Sequence, residues 1–267
     1  MLGAAVHQGV FPRFRADEAP SEMRSAVARY ERRFRTRFAT LTWFSEAELA
    51  RLHDMPPDED LPPSVSAPSQ EDAAVRGAMR TIGEVANTES KTPGQRRDFL
   101  SALRGLYGAL PAWPQDLASE DDVLCVGPER EGRQLGEQLG CLPADRRLTP
   151  HAKRIPLDGG LLVGLSEIDV AGYERCLIVD GVVATGATLM AVMDCLLPDV
   201  SSFSVFTAQS TPAGLWAVSR YGEMAGVEVN VAVGAIGGRL NEKYYAVDPA
   251  DANSLVVGDI GDTIAGM

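Results

Sequence analysis

Residues 175–188 read Arg-Cys-Leu-Ile-Val-Asp-Gly-Val-Val-Ala-Thr-Gly-Ala-Thr, and they constrain the fold more than any other stretch of the chain. Cys176 to Val179 form a short apolar run of the kind found in strands buried on both faces. The run ends in Asp180. A loop of small residues follows (Gly181, Ala184, Gly186, Ala187), and Thr188 opens a helix with apolar positions Leu189, Val192, Met193 and Leu196. Strand, small-residue loop and helix start together make a geometry for holding phosphate. Backbone N–H groups converge on the anion, the helix dipole favours negative charge, and missing side chains let the ligand approach. Thr185 and Thr188 add hydroxyl donors. Asp180 falls at the carboxyl end of its strand, where open α/β sheets place their ligands.

Two common phosphate loops are excluded. The chain contains no Gly-x-x-x-x-Gly-Lys-Ser/Thr, and no Gly-x-Gly-x-x-Gly follows a strand. An acid beside Ala184-Thr185-Gly186-Ala187-Thr188 instead resembles the loop of the type I phosphoribosyltransferases, which bind 5-phosphoribosyl 1-pyrophosphate (PRPP). In that family the acid holds ribose hydroxyls and the Thr-Gly-x-Thr turn wraps the 5′-phosphate. Most members carry two adjacent acids. Here the second position is Gly181, and a single acid is the habit of the uracil phosphoribosyltransferase branch.

The C-terminus is similar to the same branch. A strand (Phe203 to Ala208), a helix (Thr211 to Ala225) and a strand (Val227 to Val233) precede Ala235-Ile236-Gly237-Gly238-Arg239-Leu240-Asn241. Tyr245-Ala246-Val247 and Val257-Gly258-Asp259-Ile260-Gly261-Asp262 follow. The resemblance assigns base contacts to the backbone around Tyr245, Ala246, Val247 and Gly258, and places Asp259 near PRPP and its metal. The departures are informative too. Gly237 replaces an acid, Asp248-Pro249 replaces a Pro-Gly with extra residues through Ser254, and Thr263 replaces a basic residue. An altered base loop on an intact ribose-phosphate loop implies retained donor chemistry and a changed acceptor.

A third segment runs from the strand Val123 to Val126 through Gly127-Pro128-Glu129-Arg130-Glu131-Gly132 into a helix. By resemblance, Arg130 and Gly132 occupy the family's pyrophosphate turn, and a guanidinium suits phosphate oxygens. The flanking glutamates leave open a plain surface turn. Lys153-Arg154-Ile155-Pro156-Leu157 is similar to a Lys-Leu-Pro turn of the uracil enzymes. The resemblance spans roughly residues 120–267.

Before residue 115 the chain reads as helical. Met23, Val27, Tyr30, Phe34 and Phe38 form a stripe at spacings of three and four. Ser45 and Glu48 make a capping box for a short helix. Met55 to Pro68 reads as a loop, a third helix runs from Glu71 to Val85, and a fourth opens at Thr92-Pro93-Gly94-Gln95. The first of these helices also carries Arg24, Arg29, Arg32, Arg33, Arg35 and Arg37, which make either a solvated face or a phosphate-reaching patch. His7, His53 and His151 show neither ligand spacing nor a catalytic partner.

The net charge is −12, which argues against general binding of nucleic acid or anionic membranes. Cys125, Cys141, Cys176 and Cys195 form no CxxC pair and read as reduced thiols, consistent with a cytoplasmic location. Neither a leader peptide nor an 18-residue apolar span is evident.

Together these readings predict a type I phosphoribosyltransferase-like α/β core over 116–267, a mainly parallel sheet flanked by helices with a C-terminal hood. A helical extension over 1–115 precedes it. The resemblance implies transfer of phosphoribose from PRPP to uracil or another aromatic acceptor, with Mg²⁺ as cofactor and a homodimer as the assembly. Asp180 and Asp259 carry the catalytic role, Asp259 meets the metal, and Arg130, Gly132, Asp180 and Ala184 to Thr188 bind PRPP. A regulator that binds PRPP or nucleotides without catalysis is the alternative.

Overall fold

A computed structural model describes residues 9–56, 61–88, 90–110, 113–129, 131–170, 172–197, 199–251, 254 and 256. The first elements are β1 (Arg13–Arg15), α1 (Ser21–Phe34), β2 (Thr40–Ser45), α2 (Glu46–His53) and β3 (Val65–Ser66). Next come α3 (Ala73–Ala86), α4 (Pro93–Gly108), α5 (Trp113–Ala118), β4 (Val123–Val126), α6 (Glu131–Leu139) and β5 (Arg147–Leu148). The hairpin β6 (Ala152–Leu157) and β7 (Gly160–Leu165) leads to β8 (Arg175–Val183), α7 (Ala187–Leu196) and β9 (Ser202–Ser210). The chain closes with α8 (Pro212–Ala225), β10 (Glu228–Ile236), β11 (Arg239–Leu240) and β12 (Ala246–Val247).

Six strands form a parallel sheet in the order β3-β10-β9-β8-β4-β5. β8 lies inside it, and its residues alternate between two cores, as the period of a strand requires. Cys176 and Ile178 pack with α7 and α8 on one face. Leu177 and Val179 pack with α3, α4 and α6 on the other. The fold is therefore mixed α/β with helices on both faces of a parallel sheet. Among the described residues, no helix is long and apolar enough to cross a membrane.

The N-terminal stretch is not purely helical. β1, β2 and β3 lie within it, and β2 pairs along its length with β7 in an antiparallel sheet of order β1-β2-β7-β6. Thr40–Ser45 contains Thr, Trp and Phe, residues that fit a pleated, half-buried surface. The α1 stripe also ends sooner than its spacing predicts. Arg35 takes the left-handed conformation, with φ of 51°, and Phe38 reaches the same small core as Val27 from beyond the helix. Within the expected loop Met55 to Pro68, Val65 and Ser66 form β3, an edge strand parallel to β10.

Both predicted capping boxes form, Ser45 with Glu48 and Thr92 with Gln95. Lys153 to Leu157, expected as a turn, lie in strand β6. Pro156 is compatible with it because β6 is an edge of its sheet, where a missing N–H costs no ladder bond. The turn instead falls at Asp158-Gly159, with Gly159 at φ 83°. An Asp-Gly pair between alternating apolar residues is a strong hairpin signal.

Candidate functional site

β8 continues through Gly181 to Val183 before the chain turns, so the loop after Asp180 is shorter than expected. Asp180 pairs in register with Thr207 of β9. Its Oδ1 accepts the N–H of Gly181 at 2.8 Å. The carboxyl is buried, and burial pushes its pKa up to about 6. The Gly181 N–H and the charge of Arg154 act in the opposite direction.

Gly186 caps α7 at φ 75°, a left-handed conformation that glycine adopts without strain. Thr185 Oγ1 accepts the N–H of Ala187 at 3.2 Å. Thr188 and Leu189, in the same first turn, have no intrahelical acceptor for their N–H groups. The loop packs tightly on α8: a Cβ at Gly214 would stand 2.5 Å from the Ala184 carbonyl oxygen.

This turn opens on a cavity of about 700 Å³. Asp180, Ala184, Thr185, Gly186 and Thr188 line one side, and Tyr245 and Ala246 line another. The two motifs quoted from the sequence, more than fifty residues apart, thus meet at one space. Ala187 and Val247 are fully buried beside it. Gly132 does not line it; a Cβ there would stand 2.2 Å from the Val179 carbonyl oxygen, so α6 packs closely on β8 at this point. Arg130, Gly258 and Asp259 lie outside the described residues.

Other wall residues come from outside the two motifs. α1 contributes Tyr30, Arg33 and Phe34, β6 contributes Lys153 and Arg154, and the hairpin tip contributes Lys243 and Tyr244. The open question about the arginine helix divides. Arg33 reaches the cavity, whereas Arg37 stands 3.8 Å from Glu31 and Arg24 donates to the Asp17 carbonyl on the surface. Lys153 Nζ lies 4.6 Å from the centre of the Phe34 ring. Glu129, which also lines the cavity, accepts from His151 Nδ1 at 2.7 Å. Among the described residues, Arg33, Lys153, Arg154 and Lys243 outnumber the two carboxylates of the wall, in a chain whose net charge is −12. Such a local reversal of sign favours an anionic ligand.

His53, set aside in the sequence, ends α2 with Nε2 2.9 Å from the Thr185 carbonyl oxygen. A carbonyl only accepts, so Nε2 carries the proton. Burial lowers the His53 pKa, the Thr185 bond raises it, and the nearby charge of Arg220 lowers it further. Nothing within four residues of His53 signals this contact. Among the described residues, no group of three or more His, Cys, Asp or Glu is placed to hold a metal.

No family model matches the chain, and no curated protein matches it. Its fold is similar to several solved structures. The AQ2163 protein from Aquifex aeolicus is 17% identical at a TM-score of 0.48, covering 74% of this chain and 97% of that one. An adenine phosphoribosyltransferase from Trypanosoma brucei, in complex with AMP, pyrophosphate and ribose-5-phosphate, is 12% identical at 0.46. The match covers 78% of this chain and 99% of that one. The adenine phosphoribosyltransferase of Leishmania tarentolae is 11% identical at 0.42, covering 70% and 95% respectively.

Proposed function

We propose that the cavity binds PRPP, and that the protein transfers its phosphoribosyl group to a ring nitrogen of uracil or another aromatic heterocycle. The observation that carries this reading is the convergence of Asp180 and the first turn of α7 on one cavity rimmed by cations. In this reading Asp180 accepts from the ribose hydroxyls, and the N–H groups around Gly186 take the 5′-phosphate. Lys153 and Arg154 face the pyrophosphate, and Tyr245 and Ala246 meet the base. The ring nitrogen forms a bond to C1 as the C1–O bond breaks, pyrophosphate leaves with the electron pair, and the nitrogen's proton passes to the departing pyrophosphate or to water. The transition state has oxocarbenium character, as in glycosidic cleavage. Positioning and fixed dipoles then supply most of the catalysis.

Mg²⁺ is the cofactor of this reading. It keeps several waters and takes one or two carboxylates, and Asp180 and Glu129 both border the cavity. When bound, it would neutralise charge on the departing pyrophosphate.

Calorimetry with PRPP and Mg²⁺, followed by pyrophosphate release across a panel of bases, tests the reading. Saturable binding with base-dependent release is expected. A cavity that takes up no phosphoribosyl compound at saturating concentration removes it.

A second reading is a regulator that binds PRPP without turning it over. Gly237, at the position of the family's acid, donates its N–H to the Ser210 carbonyl, and a Cβ there would stand 3.1 Å from Met79 Cε. Binding without release from any base favours this reading.

A further inference from the structure

Three consecutive peptide units of the phosphate turn have their carbonyls held by other elements. The Val183 carbonyl accepts from Ser210 Oγ at 2.8 Å and from the Thr211 N–H at 3.0 Å. The Ala184 carbonyl accepts from Thr211 Oγ1 at 2.6 Å. The Thr185 carbonyl accepts from His53 Nε2 at 2.9 Å. A trans peptide is planar, with its C=O and N–H on opposite sides. Clasping these three carbonyls therefore sets the directions of the Ala184, Thr185 and Gly186 N–H groups. All three residues line the cavity.

The first two clasps come from the junction of β9 and α8, within the parallel-sheet layer. The third comes from α2, about 130 residues earlier in the chain, and it controls the peptide unit that carries the Gly186 N–H. α2 is itself fixed at that end, because Arg220 of α8 donates to the Arg51 and Leu52 carbonyls at 2.8 and 2.9 Å. His53 thus reaches the turn from an anchored helix terminus.

We propose that His53 is a positioning residue for the phosphate-binding turn, holding the Thr185–Gly186 peptide so that its N–H is directed at the ligand's phosphate. This assigns the N-terminal segment a part in ligand binding. It rests on the proposed phosphoribosyl site for its consequence, though not for its geometry.

The test compares wild type with His53→Leu, which keeps bulk and loses the donor, and His53→Gln, which keeps a donor. Amide hydrogen exchange in the ligand-free protein is read at Ala187 and Met190, whose N–H groups bond Thr185 Oγ1 and the Gly186 carbonyl within the turn, and over β8 and β9, and ribose 5-phosphate affinity is read by calorimetry. His53→Leu is expected to speed exchange in the turn and weaken ribose 5-phosphate by about tenfold each, the scale of one lost hydrogen bond. β8 and β9 should keep their protection, and His53→Gln should recover most of both losses. Unchanged exchange in the turn of His53→Leu overturns the proposal, as does equal acceleration in β8 and β9, which indicates general loosening. If wild type itself binds no ribose 5-phosphate, the phosphoribosyl reading fails, while the exchange comparison still decides the clasp.

Discussion

Arg154 ties the antiparallel sheet to the C-terminal hairpin by donating to the Tyr244 carbonyl at 3.2 Å. Its guanidinium also lies 5.8 Å from the centre of the Tyr245 ring. Tyr244 sits at φ 61°, a left-handed conformation uncommon for a bulky residue. The turn is held locally by Asn241, whose side chain accepts the N–H groups of Lys243 and Tyr245. Arg154 is the link from this tip to the cavity wall.

Arg154→Ala should therefore loosen the lip. Trypsin cleavage after the exposed Lys243 is expected to accelerate several-fold, with ligand affinity falling. Equal cleavage rates in the two proteins would show that the hairpin holds its place without the guanidinium.

Asp180→Asn should stabilise the unliganded protein near neutral pH. The folded-state pKa of Asp180, about 6, lies above its ordinary value of 3.8 because the carboxyl is buried. The folded state binds the proton more tightly than the unfolded one, so this contribution is fully present below about pH 4 and is lost as pH rises through 6. A neutral amide escapes that loss, and the gain at pH 7.5 is at most roughly 3 kcal/mol. Urea titrations of both proteins at pH 7.5 and pH 4 should diverge only at the higher pH. In the same variant, loss of phosphoribosyl binding is expected.

Gly186→Ala tests the turn against a matched control. At Gly186 a Cβ would stand 3.0 Å from Val218 Cγ2 and 3.2 Å from the Gly214 oxygen, at φ 75°. Gly226 has a similar φ of 67° with open space around it. Each substitution should cost about 1–2 kcal/mol from the conformation alone, with a further loss at Gly186 from the contacts. Only Gly186→Ala should weaken ligand binding. If calorimetry finds equal affinity in the two variants, the turn does not contact the ligand.

The four cysteines should be slow to react with a disulfide reagent. Burial pushes the thiols of Cys125, Cys141 and Cys195 up to about 11 and raises Cys176 well above its ordinary value. At pH 8 about one in 10³ is a thiolate, and the thiolate is the reactive form. Four thiols should titrate rapidly in urea and slowly in buffer. A fast phase in the native protein would show that one of them is accessible.

Much of the site was legible because its signals are local. The Asp180 strand, the turn at Gly186 and the start of α7 lie within about a dozen residues, where periodicity, glycine and caps act over a few positions. The same holds for the Ser45 and Thr92 caps. The Asp158-Gly159 hairpin signal is equally local, although the similarity of Lys153 to Leu157 to a family turn points elsewhere in the segment. β2 was not legible, because its place depends on pairing Thr40–Ser45 with Gly160–Leu165, far along the chain.

By itself the sequence determined an α/β chain with a buried strand carrying Asp180, a glycine turn and a helix start, since those features follow from backbone chemistry within one strand–turn–helix unit. Tertiary structure alone decided that α1, β6 and the 241–245 tip wall the same cavity, and that His53 clasps the turn. Those contacts join residues 90 to 132 positions apart. No local period specifies such partners; they meet only when sheet pairing and core burial have set where each element lies.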